Sequence, residues 1–166
     1  MIFDHIALVT TPMSLQRFHE AQASLFSGYD PALAEIRRGR KSGHWIWYIF
    51  PQLTALGRSS SAQYYGIGDL AEARAFLRDP VLRARYAELA GAVRDQLTRG
   101  IELRTLMGCH LDALKFISSL TLFRDAAGSV RHENVAIDNL AALCSSILTV
   151  AESQGFAPCD HTLKLI

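Results

Sequence analysis

The chain has almost no surplus of charge: 17 Lys and Arg against 16 Asp and Glu leave a formal net charge of +1 at pH 7. Attraction to nucleic acid or to an anionic membrane needs a basic excess, so any such attraction has to be local. Cysteine is scarce and odd in number. Cys109, Cys144 and Cys159 form no Cys-x-x-Cys pair and no metal-ligand rhythm, which reads as reduced thiols and excludes a disulfide framework. No metal and no cofactor is expected on that pattern. His110, His132 and His161 are dispersed, and Cys159-Asp160-His161 is too tight a tripeptide to converge on one ion. No apolar run approaches the ~20 residues of a membrane span. Residues 1–13 carry Asp4 where a signal peptide would be basic, so a soluble, cytoplasmic protein away from membranes is expected. Repeats, low-complexity tracts and long linkers are also missing, which leaves one domain.

What is present is an ordinary globular composition, 49% hydrophobic and 20% charged over 166 residues. A chain of this length buries roughly two thirds of its unfolded surface around one core. Helix signals recur along it. Ser14 is placed to cap a helix carrying Leu15, Phe18, Ala21 and Leu25, with Gly28 beyond its end. Asp30-Pro31 starts a second helix that stops near Gly39. Asp69 with Glu72 suits a capping box, and Asp79-Pro80 opens a long helix closed by Gly100. From His110 the positions Leu111, Leu114, Ile117, Ser118 and Leu122 share a face, residues 133–151 are rich in Ala, Leu and Ile, and a short helix is expected from Asp160. Residues 2–10 and 45–50 are β-prone and read as short strands. The fold class expected is all-α, a multi-helix single domain with at most two short strands near its N-terminus. Residues 1–12 read as an extension and 13–166 as the domain.

The unusual stretch is residues 37–68. Arg37, Arg38, Arg40, Lys41 and Arg58 stand there with no Asp or Glu, a formal +5 in a chain of +1, so the remainder sums to −4. Trp45, Trp47, Tyr48, Tyr64, Tyr65 and five glycines fall in the same window. Guanidinium groups fork onto phosphate or carboxylate, glycines admit an anion to backbone N–H groups, and aromatic faces stack on rings. Arg40, Lys41, Trp45, Gln52, Arg58, Ser59 and Tyr65 are therefore candidate ligand-binding residues. Residues 57–61, Gly-Arg-Ser-Ser-Ser, suggest a small nest of donors without the spacing of a phosphate loop. The alternative is structural: a basic helix end running into aromatic core anchors such as Trp47, Tyr48 and Phe50.

Two further elements complete the candidate set. Asp112, Lys115 and Ser119 stand at i, i+3 and i+7, one stripe of a helix with Ser118 beside it, able to line a cleft. Lys115 is a candidate base or anion anchor and Ser119 a candidate nucleophile; otherwise Asp112 and Lys115 are a surface pair. His44 is a candidate acid or base, with a structural hydrogen bond beside tryptophan as its alternative.

The strings Leu15-Gln16-Arg17-Phe18, Ala21-Gln22, Gly43-His44-Trp45-Ile46-Trp47-Tyr48-Ile49-Phe50-Pro51-Gln52 and Leu56-Gly57-Arg58-Ser59 resemble the domain-of-unknown-function family numbered 1810. Tyr65-Gly66-Ile67, Asp79-Pro80-Val81-Leu82, Ser118-Ser119-Leu120-Thr121-Leu122-Phe123 and Asp160-His161-Thr162-Leu163 follow in the same order. The resemblance runs from about Met13 to Ile166 and implies an all-α fold found in bacterial and some fungal proteins. It implies no activity, although some members are labelled calpastatin. The chain departs from the family at residues 109–112, where Phe-Gly often precedes the Asp.

Three functional readings follow. In the first, a small anionic, nucleotide-like molecule binds residues 37–68 together with Lys115 and Ser119, with or without chemistry at a phosphate or glycosidic bond. The second is a helical interaction module with Trp45 and Trp47 exposed as a hot spot, a protein partner being otherwise unspecified. The third, disfavoured by net charge, is single-stranded nucleic acid stacked on Tyr64 and Tyr65.

Overall fold

A computed structural model describes residues 15–166. The expected Ser14 cap and the expected strand over 2–10 lie outside these residues. The described chain carries ten α-helices: α1 Gln16–Gln22, α2 Tyr29–Arg37, α3 Ile46–Ile49, α4 Ser60–Tyr65, α5 Leu70–Arg78, α6 Pro80–Thr98, α7 Leu103–Leu106, α8 His110–Gly128, α9 Val135–Ser153 and α10 Asp160–Leu165. A 3-10 turn, Thr54–Leu56, stands between α3 and α4. The fold is all-α.

Side-chain chemistry accounts for the boundaries. The Asp69 carboxylate accepts from Glu72 N–H, and Glu72 reaches back to Gly68 N–H at 2.6 Å, closing the start of α5 one residue earlier than a standard capping box. Asp79 ends α5 and begins α6, accepting from Val81 and Leu82 N–H at 3.0 Å with Pro80 at the first helical position. Asn134 caps α9 through Ala136 N–H. Gly39 and Gly100, at φ +92° and +94°, turn the chain out of α2 and α6.

α8 is the spine. It packs on α9, α5, α7 and α10, while α6 lies against α2, α5 and α9, and α3 lies against α1 and α8. Between these layers sits a cluster of buried rings. Phe50 meets Tyr86 at 5.0 Å and Phe116 at 4.7 Å edge-on, and Phe76 meets Phe18 at 5.3 Å and Phe123 at 4.9 Å. All but the tilted Phe76–Phe123 pair are edge-to-face, and such pairs add ~1 kcal/mol each beyond their buried area. α9 is, among the described residues, long and apolar enough to cross a bilayer, with a mean hydropathy of 1.4. In this structure it buries Ile137, Leu140, Cys144, Ile147, Leu148 and Ala151 against the layers.

One expected element is corrected. Residues 45–50 hold the short helix α3, flanked by Trp45 and Phe50, and no strand. Their apolar side chains point to more than one side at once: Trp45, Ile46, Tyr48, Ile49 and Phe50 are all buried, which a single helical turn wedged among α1, α4 and α8 permits. Among the described residues the extended pairing is one parallel bridge between Leu53 and Ile67, with Thr54 N–H on Ile67 carbonyl and Ile67 N–H on Gln52 carbonyl, both at 2.9 Å.

Candidate functional site

The loop from α2 to α3 is built on one acid. Glu35, buried in α2, accepts from Ser42 N–H at 2.9 Å, Gly43 N–H at 2.9 Å and Trp45 Nε1 at 2.8 Å. Burial pushes its carboxyl up, but the backbone donors and the indole outweigh burial and hold it below the usual carboxylate range. Lys41 in this loop is also buried. Its backbone N–H donates to Leu106 carbonyl at 2.7 Å, and its ammonium donates to Gly43 carbonyl and to Asp112 on α8. Gly108 permits that approach, since a Cβ there would stand 2.7 Å from Lys41 carbonyl oxygen at a φ of +83°.

Asp112 is shared. Oδ2 takes Lys41, Oδ1 takes Lys115 at 3.1 Å, and each ammonium also stands over an indole, Lys41 over Trp45 at 5.2 Å and Lys115 over Trp47 at 4.7 Å. Burial raises the Asp112 carboxyl, and the two ammonium groups more than reverse it, so the group titrates below the ordinary range. The triad carries one uncompensated positive charge. It is Lys115, the more exposed of the two lysines, that reaches the surface.

Above this triad lies a cleft of about 630 Å³. One wall is Trp47 from α3 with Gln52, Leu56, Gly57, Arg58, Ser59 and Ala62 from the turn and α4. The opposite wall is Leu111, Leu114, Lys115, Ile117 and Ser118 of α8. Ala157, Cys159, Asp160 and His161 close one end. The Leu53–Ile67 bridge fixes the first wall, Gln63 Nε2 donates to Gly57 carbonyl and Thr54 carbonyl, and Ser59 caps α4 through Ala62 N–H at 3.1 Å. A Cβ on Gly57 would fall 2.4 Å from Ala62 Cβ, so the turn requires glycine. The end wall is tied to α8 by Cys159 N–H donating to Thr121 Oγ1 at 3.1 Å. Burial raises the Cys159 thiol, yet the Ser118 hydroxyl and the backbone N–H groups at the start of α10 bring it below its usual value.

Of the residues singled out in the sequence, Gln52, Arg58, Ser59 and Lys115 share this cleft. The others stand elsewhere. Trp45 is fully buried against Glu35, and Lys41 lies beneath the cleft on Asp112. Tyr65 packs on Tyr48 and Phe18, with ring centroids at 5.0 and 6.4 Å. Arg40 and His44 are exposed and away from the cleft. Ser119 is fully buried and bonded to Tyr86 OH at 2.9 Å, because a helix turns ~100° per residue and the face that meets the cleft runs through Leu111, Leu114, Lys115 and Ser118 instead. Arg37 reaches Glu88 on α6, so the basic window is dispersed over several surfaces. The end wall at 157–161 escaped the sequence reading, since its one visible signal was an isolated Cys-Asp-His. Among the described residues no group of three His, Cys, Asp or Glu is arranged to hold a metal.

Comparison with known proteins places the fold among uncharacterised relatives. The family described as "Protein of unknown function (DUF1810)" matches residues 12–146. The chain is 36% identical to the conserved hypothetical protein Rv1873 from Mycobacterium tuberculosis, solved by crystallography. The likeness covers 93% of this chain and 97% of that one, with a TM-score of 0.74. No curated protein matches the chain.

Proposed function

The chain belongs to the DUF1810 family of proteins of unknown function, and we propose that it is a binding domain for a small anionic molecule with a flat ring, held in the cleft between α3, α8 and α10. One observation carries this reading: Arg58 and Lys115, on opposite walls, line the same Trp47-bearing cleft. Its volume of about 630 Å³ falls within the range of small-molecule sites, which are mostly apolar with a few placed polar groups. Lys115 is held in place by Asp112 and the Trp47 face, so little rotamer freedom is lost when an anion arrives.

The interaction-module reading loses its premise, because Trp45 has no exposed surface. Nucleic acid stacked on a tyrosine pair is also disfavoured, because Tyr65 is packed against Tyr48 and Phe18. Chemistry at a phosphate or glycosidic bond is the second reading of the same cleft, with His161 in place of His44 as the acid or base, since His161 lines it.

The test is a thermal-shift and titration series with small carboxylates, sugar phosphates and nucleotides, read on wild type, Lys115→Met and Arg58→Ala. A ligand of the folded state raises the apparent Tm. The expected result is a hit weakened about tenfold or more by either substitution, the value of one charged hydrogen bond of ~1.5 kcal/mol. Binding that ignores both substitutions rules the cleft out.

A further inference from the structure

The charge on the cleft wall decides which anions suit it. Lys115 and Arg58 contribute +2 and Asp160 contributes −1, a net +1 with His161 neutral. Behind the wall, buried Lys41 and Asp112 cancel each other. One negative charge on a ligand balances this wall. A nucleotide bringing several leaves the excess facing Asp160 in a partly desolvated site, where like charges repel more strongly than in water.

Ser118 Oγ is engaged by Leu114 carbonyl at 3.0 Å and by the Cys159 thiol, while Ser59 Oγ accepts the capping bond from Ala62 N–H. What the wall still offers a ligand beside Lys115 is the Ser59 O–H, the Gln52 amide and the Arg58 guanidinium, donors that fit the oxygens of one carboxylate. The remaining wall is chiefly apolar, with Trp47, Leu56, Leu111, Leu114 and Ile117 offering ring and aliphatic surface.

We propose that the cleft selects a monoanionic organic acid with an apolar, ring-bearing body over a nucleotide or other polyanion. The carboxylate sits on the Lys115 ammonium, and the body lies between Trp47 and the leucines of α8. This rests on the reading of the cleft as a small-anion site and narrows its ligand class.

The experiment is isothermal titration of the wild-type protein at one ionic strength with four probes: 1-naphthaleneacetate, its neutral amide, AMP and inorganic pyrophosphate. The acid is expected to bind at least tenfold tighter than the amide and than either phosphate. In Lys115→Met the acid and the amide should become equal. Equal binding of acid and amide by the wild type overturns the proposal, as does tighter binding of AMP or pyrophosphate. In the last case the small-anion site survives and its ligand class is a phosphate. No binding by any of the four removes both.

Discussion

At the level of single residues, Glu35 does more for the site than any side chain that lines the cleft. Its carboxylate collects Ser42 N–H, Gly43 N–H and Trp45 Nε1, and so sets the path of the loop that delivers Lys41 and then Trp47. Glu35→Gln keeps the shape but turns one acceptor oxygen into an amide NH2 facing N–H donors. The expected cost is ~2–3 kcal/mol, from buried donors left without an acceptor. The pH dependence has a definite sign. Because the folded carboxyl is held below its unfolded value, its stabilisation is present above the unfolded pKa of ~4.3 and is lost as pH falls through the folded value. Urea titrations should therefore show the wild-type and Glu35→Gln stabilities converging below about pH 4 and separating above it. A constant gap across pH contradicts the role assigned to the charge. This residue was legible in the sequence only as one acid in an amphipathic helix; its partners lie seven to ten positions on, at no regular spacing.

Among the helices, the starts were the readable part. Asp69 and Asp79-Pro80 announce α5 and α6 because a short polar acceptor must meet the free N–H groups of a first turn, whereas α10 begins at Asp160 without a side-chain cap. α3 was misread for a physical reason: Trp, Tyr, Ile and Phe favour strands on average, and tertiary burial on all sides overrides that preference. Asp79 offers the sharpest test at this scale. It terminates α5, caps α6 and accepts from His19 Nε2 of α1 at 2.7 Å. Asp79→Ala should lower stability by ~2 kcal/mol and Tm by about 4–8 °C, whereas Asp79→Asn, an equally good cap, should recover most of that loss. Calorimetry showing both variants equally destabilised would mean that the His19 contact, and not the cap, carries the effect.

Taken as a whole, the molecule scatters the charge that its sequence concentrates. Five cations within residues 37–68 suggest one basic face, yet Lys41 is buried, Arg37 pairs with Glu88 and Arg58 alone of the five lines the cleft. Charge position along a chain therefore said little here about charge position in space, while Lys115 and Arg58, far apart in sequence, were found because each stood out by residue type. A consequence follows for salt. Proteins that neutralise 6–10 phosphates lose ~10³–10⁵ in affinity between 50 and 200 mM salt. Binding of 1-naphthaleneacetate should weaken less than about tenfold over that interval, as one partly buried ion pair is screened only modestly. A steep fall would contradict a single partly buried ion pair as the anchor of the acid.

The cleft draws its walls from residues 47–62, 111–118 and 157–161. Segments so distant along the chain come together only after most of the loop-closure entropy has been lost, whereas the neighbouring helices α8 and α9 can pair early. Ligand affinity is accordingly a clock for folding: in a refolding time course, helical signal should precede recovery of the binding signal, and the interval between them measures how late the C-terminal segment docks onto α8.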